Sequence, residues 1–279
     1  MSKTLTIKDS DQIIDLKGEV MNSNILIKGP VKNVKICNGT VKGEIRLRPI
    51  KVDANKEPNY TELIRESSPS NIELENLTID TDGSTHQVYF GVGSNNSKII
   101  NCKFKGKSSG PCLYLSAEGG NHIIKDNIFN SLPGGRREVL SIDGNSYNTI
   151  ENNEFKKCIW GGIFVYRNCG EKGTIRHQKP RRNKISNNKF DLTGMVPVRF
   201  SNGSGHQGSF IFIPYGIILG SRQGDSSYCD LDDDYDLGSG KSNYDFARYN
   251  IVMDNKFKGD WFKRHILNND KFNVVVNNE

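Results

Sequence analysis

Apolar and polar positions recur along this chain in one phrase: an apolar residue, a second residue, Asn or Asp, then Asn, a variable residue and Phe. Full copies stand at 99–104, 124–129, 150–155, 185–190 and 252–257, with Cys102 in place of the second amide in the first of them. Degenerate copies occupy 36–41 and 74–79, and a partial copy occupies 275–278. The phrases end at 41, 79, 104, 129, 155, 190 and 257, in steps of 38, 25, 25, 26, 35 and 67. Repeats of this kind mark a solenoid. A step of 25 or 26 is too short for a propeller blade and lacks the helical half of an ankyrin or TPR unit. It fits one coil of three short strands. Asn suits the corner because it tolerates left-handed backbone and bonds its own chain. Stacked coils then bring the Asn amides into a ladder, as in cross-β stacks. The Ile and Phe positions become two internal apolar columns.

A further short strand precedes each phrase, with apolar residues at alternate positions. The segments are 88–90, 113–115, 140–142, 163–165, 217–219 and 265–267. From the inward residue of this strand (90, 115, 142, 165, 219, 267) to the Ile column takes 9, 9, 8, 20, 33 and 8 residues. Two coils therefore carry long insertions at that corner. The sequence predicts an all-β chain: a single right-handed parallel β-helix of seven to eight coils with loop insertions on one side. At the ~4.8 Å strand spacing the rod is roughly 35–40 Å long. A β-sandwich would not keep Asn and Phe in fixed register, and the Leu ladder of a leucine-rich repeat is absent. Residues 1–23 are expected to cap the first coil, with a short helix starting in Ser10-Asp11-Gln12-Ile13-Ile14, and 24–279 to form the β-helix. The chain stops within a coil with no cap visible, which suggests either self-association or a shortened chain.

The remaining composition narrows the partners. Net charge is +6, from 38 basic and 32 acidic residues, without the concentrated basic face of a nucleic-acid binder. No apolar run reaches the ~18 residues of a spanning helix, so no membrane partner is expected. No signal-type apolar stretch opens the sequence, which suggests a cytoplasmic or virion-associated protein unless a leader has been removed. The six cysteines form no CxxC pair and no metal spacing, and read as free thiols.

Candidate chemistry gathers where the insertions do. Residues 168–183 follow Val165, residues 221–248 follow Leu219, and 29 residues separate Phe190 from Leu219 where 10–13 are usual. Loops grouped on one side of a rigid scaffold commonly carry function. Parity places Asp143 and Tyr166 as stacked outward neighbours about 4.8 Å apart, with Arg167 at the corner and Arg136, Arg137 and Glu138 before the Asp143 strand. Lys172, Arg176 and His177 come from the adjoining loop. Asp143 and Glu138 are candidate acids or bases, with Tyr166 and Arg167 as partners. The arginines suit bidentate pairing with an acidic sugar. Tyr114, Phe164 and Trp160 suit stacking on sugar faces. Against this stands the plain reading of solvated surface residues. Clustered carboxylates at Asp230, Asp232, Asp233 and Asp234 suggest calcium, although the spacing of an EF-hand is missing and a solvated acidic loop fits as well. His206, in a Gly-rich stretch, is a weaker catalytic candidate.

The phrase and its period resemble the pectin-lyase-like right-handed β-helix superfamily, in particular the NosD and carbohydrate-binding type of repeat, over residues 24–278. That resemblance implies a substrate groove on the sheet carrying Leu115 and Ile142. The residues 138–145 and 148–155 look like the alginate-lyase and chondroitinase-B family, whose pattern implies a Lys near Asp143 or Gly144 and an Arg near Tyr166-Arg167. The Lys is missing, so elimination would need another base, such as Tyr166 with Arg167. Polygalacturonase-type motifs do not appear in place. Three functions follow: an enzyme cleaving or epimerising an acidic polysaccharide, by lyase-type or related chemistry; a non-catalytic glycan-binding module such as a phage-tail or surface component; and a protein-interaction solenoid.

Overall fold

In the computed structural model, residues 3–52, 59–167, 176–193, 196–201, 207–212, 214–220, 247–259 and 265–279 are described, with 196–201 and 207–212 described as backbone. The chain winds into the expected right-handed parallel β-helix. One sheet stacks nine parallel strands: Thr4–Ile7, Asn24–Lys28, Ile45–Arg48, Val88–Phe90, Leu113–Leu115, Leu140–Asp143, Ile163–Tyr166, Ile217–Leu219 and Ile266–Asn268. A second sheet of 15 strands takes the other two sides of each coil, and the long strand Ser70–Ser84 joins those two sides.

The stack starts earlier than the sequence suggests. Residues 12–15 are not helical: Gln12–Asp15 is a strand paired with Lys32–Lys42, and Thr4–Ile7 pairs with Asn24–Lys28. The N-terminal residues thus build a coil of their own, which is why the sheet has nine strands rather than seven or eight. The phrase is absent there, so its Ile and Phe columns gave no warning. The last strand also differs by one residue: Asn268, not Leu267, stands in register with Leu219.

Both apolar columns form. Ile36, Leu74, Ile99, Ile124, Ile150, Ile185, Val252 and Val275 follow one another in register. Beside them Phe104, Phe129, Phe155, Phe190 and Phe257 stack with ring centroids 4.4, 4.7, 4.8 and 4.9 Å apart. These separations match the strand spacing, so backbone pairing and ring stacking are satisfied together. The core is thin enough that backbone must lie against the rings. A Cβ on Gly216 would sit 2.2 Å from the Phe257 ring.

The corner uses its two amide positions differently. The first is left-handed: Asn101, Asp126, Asn152, Asn187 and Asp254 have φ between 51° and 57°. The second is a buried ladder. Asn127, Asn153, Asn188 and Asn255 each donate Nδ2 to the Oδ1 of the Asn one coil on, at 2.9–3.0 Å. The same Oδ1 accepts the backbone N–H of the donor residue at 3.0–3.1 Å. A second ladder runs at the preceding corner through Asn148, Asn183, Asn250 and Asn273. His122 and Ser97 continue that column downward, His122 donating its N–H to Asn148 and Ser97 donating its N–H to His122 Nδ1. Burial pushes the His122 imidazole down to about 3, so it stays neutral.

Each ladder Asn satisfies several buried groups, whereas each left-handed Asn satisfies mainly a torsion. Asn153→Ala is therefore expected to cost several kcal/mol, at about 1–3 kcal/mol per buried polar group left unpaired. Asn152→Gly should be nearly neutral and Asn152→Ala should cost about 1–2 kcal/mol. Urea unfolding of the three variants checks this order.

Candidate functional site

The site is built on six successive first-sheet strands, from Ile45–Arg48 to Ile217–Leu219. Their outward column runs Arg46, Tyr89, Tyr114, Ser141, Phe164 and Ile218 in register. Its lower half is partly buried. Tyr89 and Tyr114 stack with centroids 5.6 Å apart, and His86 lies 5.4 and 5.1 Å from the two rings. The Arg46 guanidinium lies 5.8 Å from the Tyr89 centroid and is held by Glu44. The upper half is covered: Ser141, Phe164 and Ile218 are buried. Phe164 was expected to face sugar, but the chain at Gly161 lies across its ring.

Asp143 and Tyr166 are in-register neighbours, as the parity implies. The rest of their surroundings differs from an open groove. Asp143 has no exposed surface. Its Oδ2 accepts the Tyr114 hydroxyl at 2.5 Å and pairs with Arg176 Nε at 2.8 Å. Glu138 is likewise buried; it accepts the Ser141 hydroxyl and, at 3.0 Å, the Tyr166 hydroxyl. Arg137 completes this second cluster, donating to Tyr166 Oη at 2.6 Å and to Glu138 at 3.2 Å. Two tyrosine–carboxylate–arginine clusters therefore sit side by side.

Their electrostatics are one-sided. Burial, reinforced by the Asp143 charge, holds the Tyr114 phenol well above its ordinary value. Burial and the Glu138 charge do the same to Tyr166. Burial opposes ionisation of Glu138, but the Arg137 charge and the hydrogen bonds outweigh it and hold the carboxyl below the usual range. Both phenols thus remain protonated donors at neutral pH, which is the wrong state for a base.

Two segments outside the repeat close this region. Helix α1, Tyr60–Glu66, lies between the strands Ile45–Arg48 and Ser70–Ser84. It meets residues 176–178 on Glu118, a buried carboxylate. Glu118 Oε1 accepts the backbone N–H groups of His177 and Gln178 at 2.6 and 3.1 Å, and Oε2 accepts the Thr61 hydroxyl at 2.6 Å. Gln178 Nε2 also donates to the carbonyls of Gly119 and Gly144. This clamp positions Arg176 over Asp143. A cleft of about 460 Å³ lies between α1 and His177, whose ring is 5.3 Å from that of Tyr60.

Arg136 is exposed, 5.9 Å from the Trp160 ring. Arg167, expected at an open corner, is buried, with Nη1 3.4 Å from the carbonyl of Arg176. Lys172, His206, Cys169, Cys229 and the aspartates 230, 232, 233 and 234 lie outside the described residues. Cys37, Cys102, Cys112 and Cys158 are buried free thiols. Sequence reasoning missed Glu118, Glu44 and Arg46. Arg46 had a signal, because Ile45-Arg46-Leu47 alternates like the other first-sheet strands. Glu118 had none, since its partners are 57 to 60 residues away.

The fold and this outward face define a right-handed β-helix protein. The family model for the right handed beta helix region matches residues 62–204, about half of the chain, and the chain belongs to that family. Among solved structures it is similar to the surface protein and adhesin PfbA of Streptococcus pneumoniae, at 17% identity and a TM-score of 0.43, over 91% of this chain and 56% of that one. It is also similar to the enzymatically active domain of the bacteriophage CBA120 tailspike protein 2, at 11% identity and a TM-score of 0.41, over 98% and 43%. A third similarity is to the tailspike of the E. coli bacteriophage HK620, at 10% identity and a TM-score of 0.31, over 92% and 51%. The chain thus spans about half the length of each of these structures. A search of curated proteins finds no match.

Two outcomes are expected from the clusters. Arg176→Ala removes the guanidinium paired with the buried Asp143 and should cost about 3–5 kcal/mol, whereas Arg176→Met with Asp143→Asn should recover much of that loss. A double-mutant denaturation cycle measures it. Because the Glu138 pKa is lower in the folded chain, its stabilisation is present above the unfolded value of about 4.3 and is lost as pH falls through the folded value. Glu138→Gln should therefore flatten the acid limb of stability against pH, followed by the denaturation midpoint.

Proposed function

We propose that this β-helix binds an acidic polysaccharide along its first sheet and holds the glycan without cleaving it. The supporting observation is the partly exposed strip of Tyr89, Tyr114, His86 and Arg46 beside two carboxylates that are closed off. Stacked aromatic faces suit the apolar faces of sugar rings, and guanidinium groups suit their carboxylates. Trp160 and the exposed Arg136 extend the same chemistry. Asp143 and Glu138 are already satisfied by protein partners, and a general acid or base has to reach substrate.

A lyase-type reaction is the second reading. One contact favours it: Arg137 lies 2.6 Å from Tyr166 Oη, where it could neutralise a uronate or a phenolate. That reading requires substrate to open the cluster and lower the Tyr166 pKa.

A glycan array with matched polymer incubations separates the two. The native protein should retain uronate-bearing glycans, Tyr89→Ala and Trp160→Ala should weaken retention at least tenfold, and neither unsaturated product nor new reducing ends should appear. Product formation abolished by Tyr166→Phe would establish the lyase reading instead. Absence of retention across the array would remove both.

A further inference from the structure

The two topmost coils carry a side-chain pattern that the coils beneath them lack. On the second strand and the corner before it, residues two apart share the outer face. In successive lower coils these three columns read Tyr147, Thr149, Glu151 and then Arg182, Lys184, Ser186. In the two coils above they read Tyr249, Ile251, Met253 and Phe272, Val274, Val276. All three columns turn apolar together. The Tyr249 and Phe272 rings meet at a tilt across the two coils, with centroids 5.4 Å apart. Five of these six side chains are 40–52% exposed, and they make up five of the ten exposed large apolar side chains among the described residues. Inward burial is not the reason, because Val252 and Val275 fill the core from the alternate positions. A contiguous apolar block of this kind marks an interaction surface.

Its border says what fits. Arg182 and Lys184 lie in the coil directly below. Arg248 and Lys271 lie 5.3 and 5.5 Å from the Phe272 ring. The nearby carboxylate of Asp270 is paired with Arg248. On the opposite side of the block Asp254 follows Met253, so the basic rim runs along the Tyr249–Phe272 side. The complementary occupant carries apolar side chains for the block and carboxylates for its rim.

We propose that this face docks a polypeptide segment of another protein, in which a short apolar stretch is flanked by acidic residues. The interface lies on the second sheet and does not depend on the glycan reading of the first.

The probe is a fluorescent peptide with four apolar residues flanked by Asp clusters, compared with versions flanked by Asn and by Lys. In fluorescence anisotropy the Asp version should bind at least tenfold tighter than either, and should weaken as salt rises from about 0.05 to 0.5 M. Ile251→Thr with Val274→Thr keeps β-branched residues on the strand and should reduce binding at least tenfold with little change in melting temperature. Lys271→Glu, which reverses a charge on the rim, should also weaken it. Equal binding of the three peptides, or binding untouched by these substitutions, overturns the proposal. So does a dimer in analytical ultracentrifugation that the Thr pair dissociates, which would make the occupant a second copy. Peptide affinity that rises when Asp230, Asp232, Asp233 and Asp234 are changed to Asn would assign the face to this chain's own acidic run, and the external-partner proposal would fall.

Discussion

The structure depends on one constraint: each coil must repeat the phase of the coil beneath it. Parallel strands set the vertical spacing near 4.8 Å, and the corner amides fix the phase. An Asn Oδ1 that accepts both the backbone N–H and the side-chain amide of the residue below tolerates little slippage. A coil out of phase would leave buried amides and backbone groups unpaired at two corners at once. The Phe column is a consequence of that registration as much as a cause, because its rings stack only when the corner holds.

The same registration turns distant residues into neighbours on the outer face. Tyr114, Asp143 and Tyr166 come from three successive coils and meet because their strands are in register. The loops then decide what such neighbours do. Glu118 ties α1 and residues 176–178 to one corner, and that tie delivers Arg176 to Asp143. Carboxylates and guanidiniums that parity alone places in water become buried, paired and rigid. The partly exposed aromatic strip lies lower, around Tyr89.

Much of this was legible in the sequence. The Asn-Phe phrase carried the period, the handedness of the corner residues and both apolar columns, because stacking forces chemically similar residues to recur. The second amide ladder was also present: Ser97, His122, Asn148, Asn183, Asn250 and Asn273 each lie five residues before the first ladder's positions. Its variation, from Ser through His to Asn, hid it. The N-terminal coil was obscured because its inward residues, such as Ile7 and Leu16, follow no phrase. Exposure at the site was the least legible property. Parity reports which way a side chain leaves the strand, but whether water reaches Asp143 or Arg167 is settled by loops far away in sequence.

The central claim is vertical registration, and cross-linking tests it most directly. Lys125 and Glu151 face outward as in-register partners in adjacent coils. Lys125→Cys with Glu151→Cys should oxidise to a disulfide, since in-register parallel neighbours fall within the ~4.4–6.8 Å Cα range that a disulfide spans. The result expected is near-complete intramolecular cross-linking, seen by intact mass, with no loss of melting temperature. Failure of that pair to cross-link, while an offset pair such as Lys125→Cys with Lys184→Cys does so, would contradict the stack.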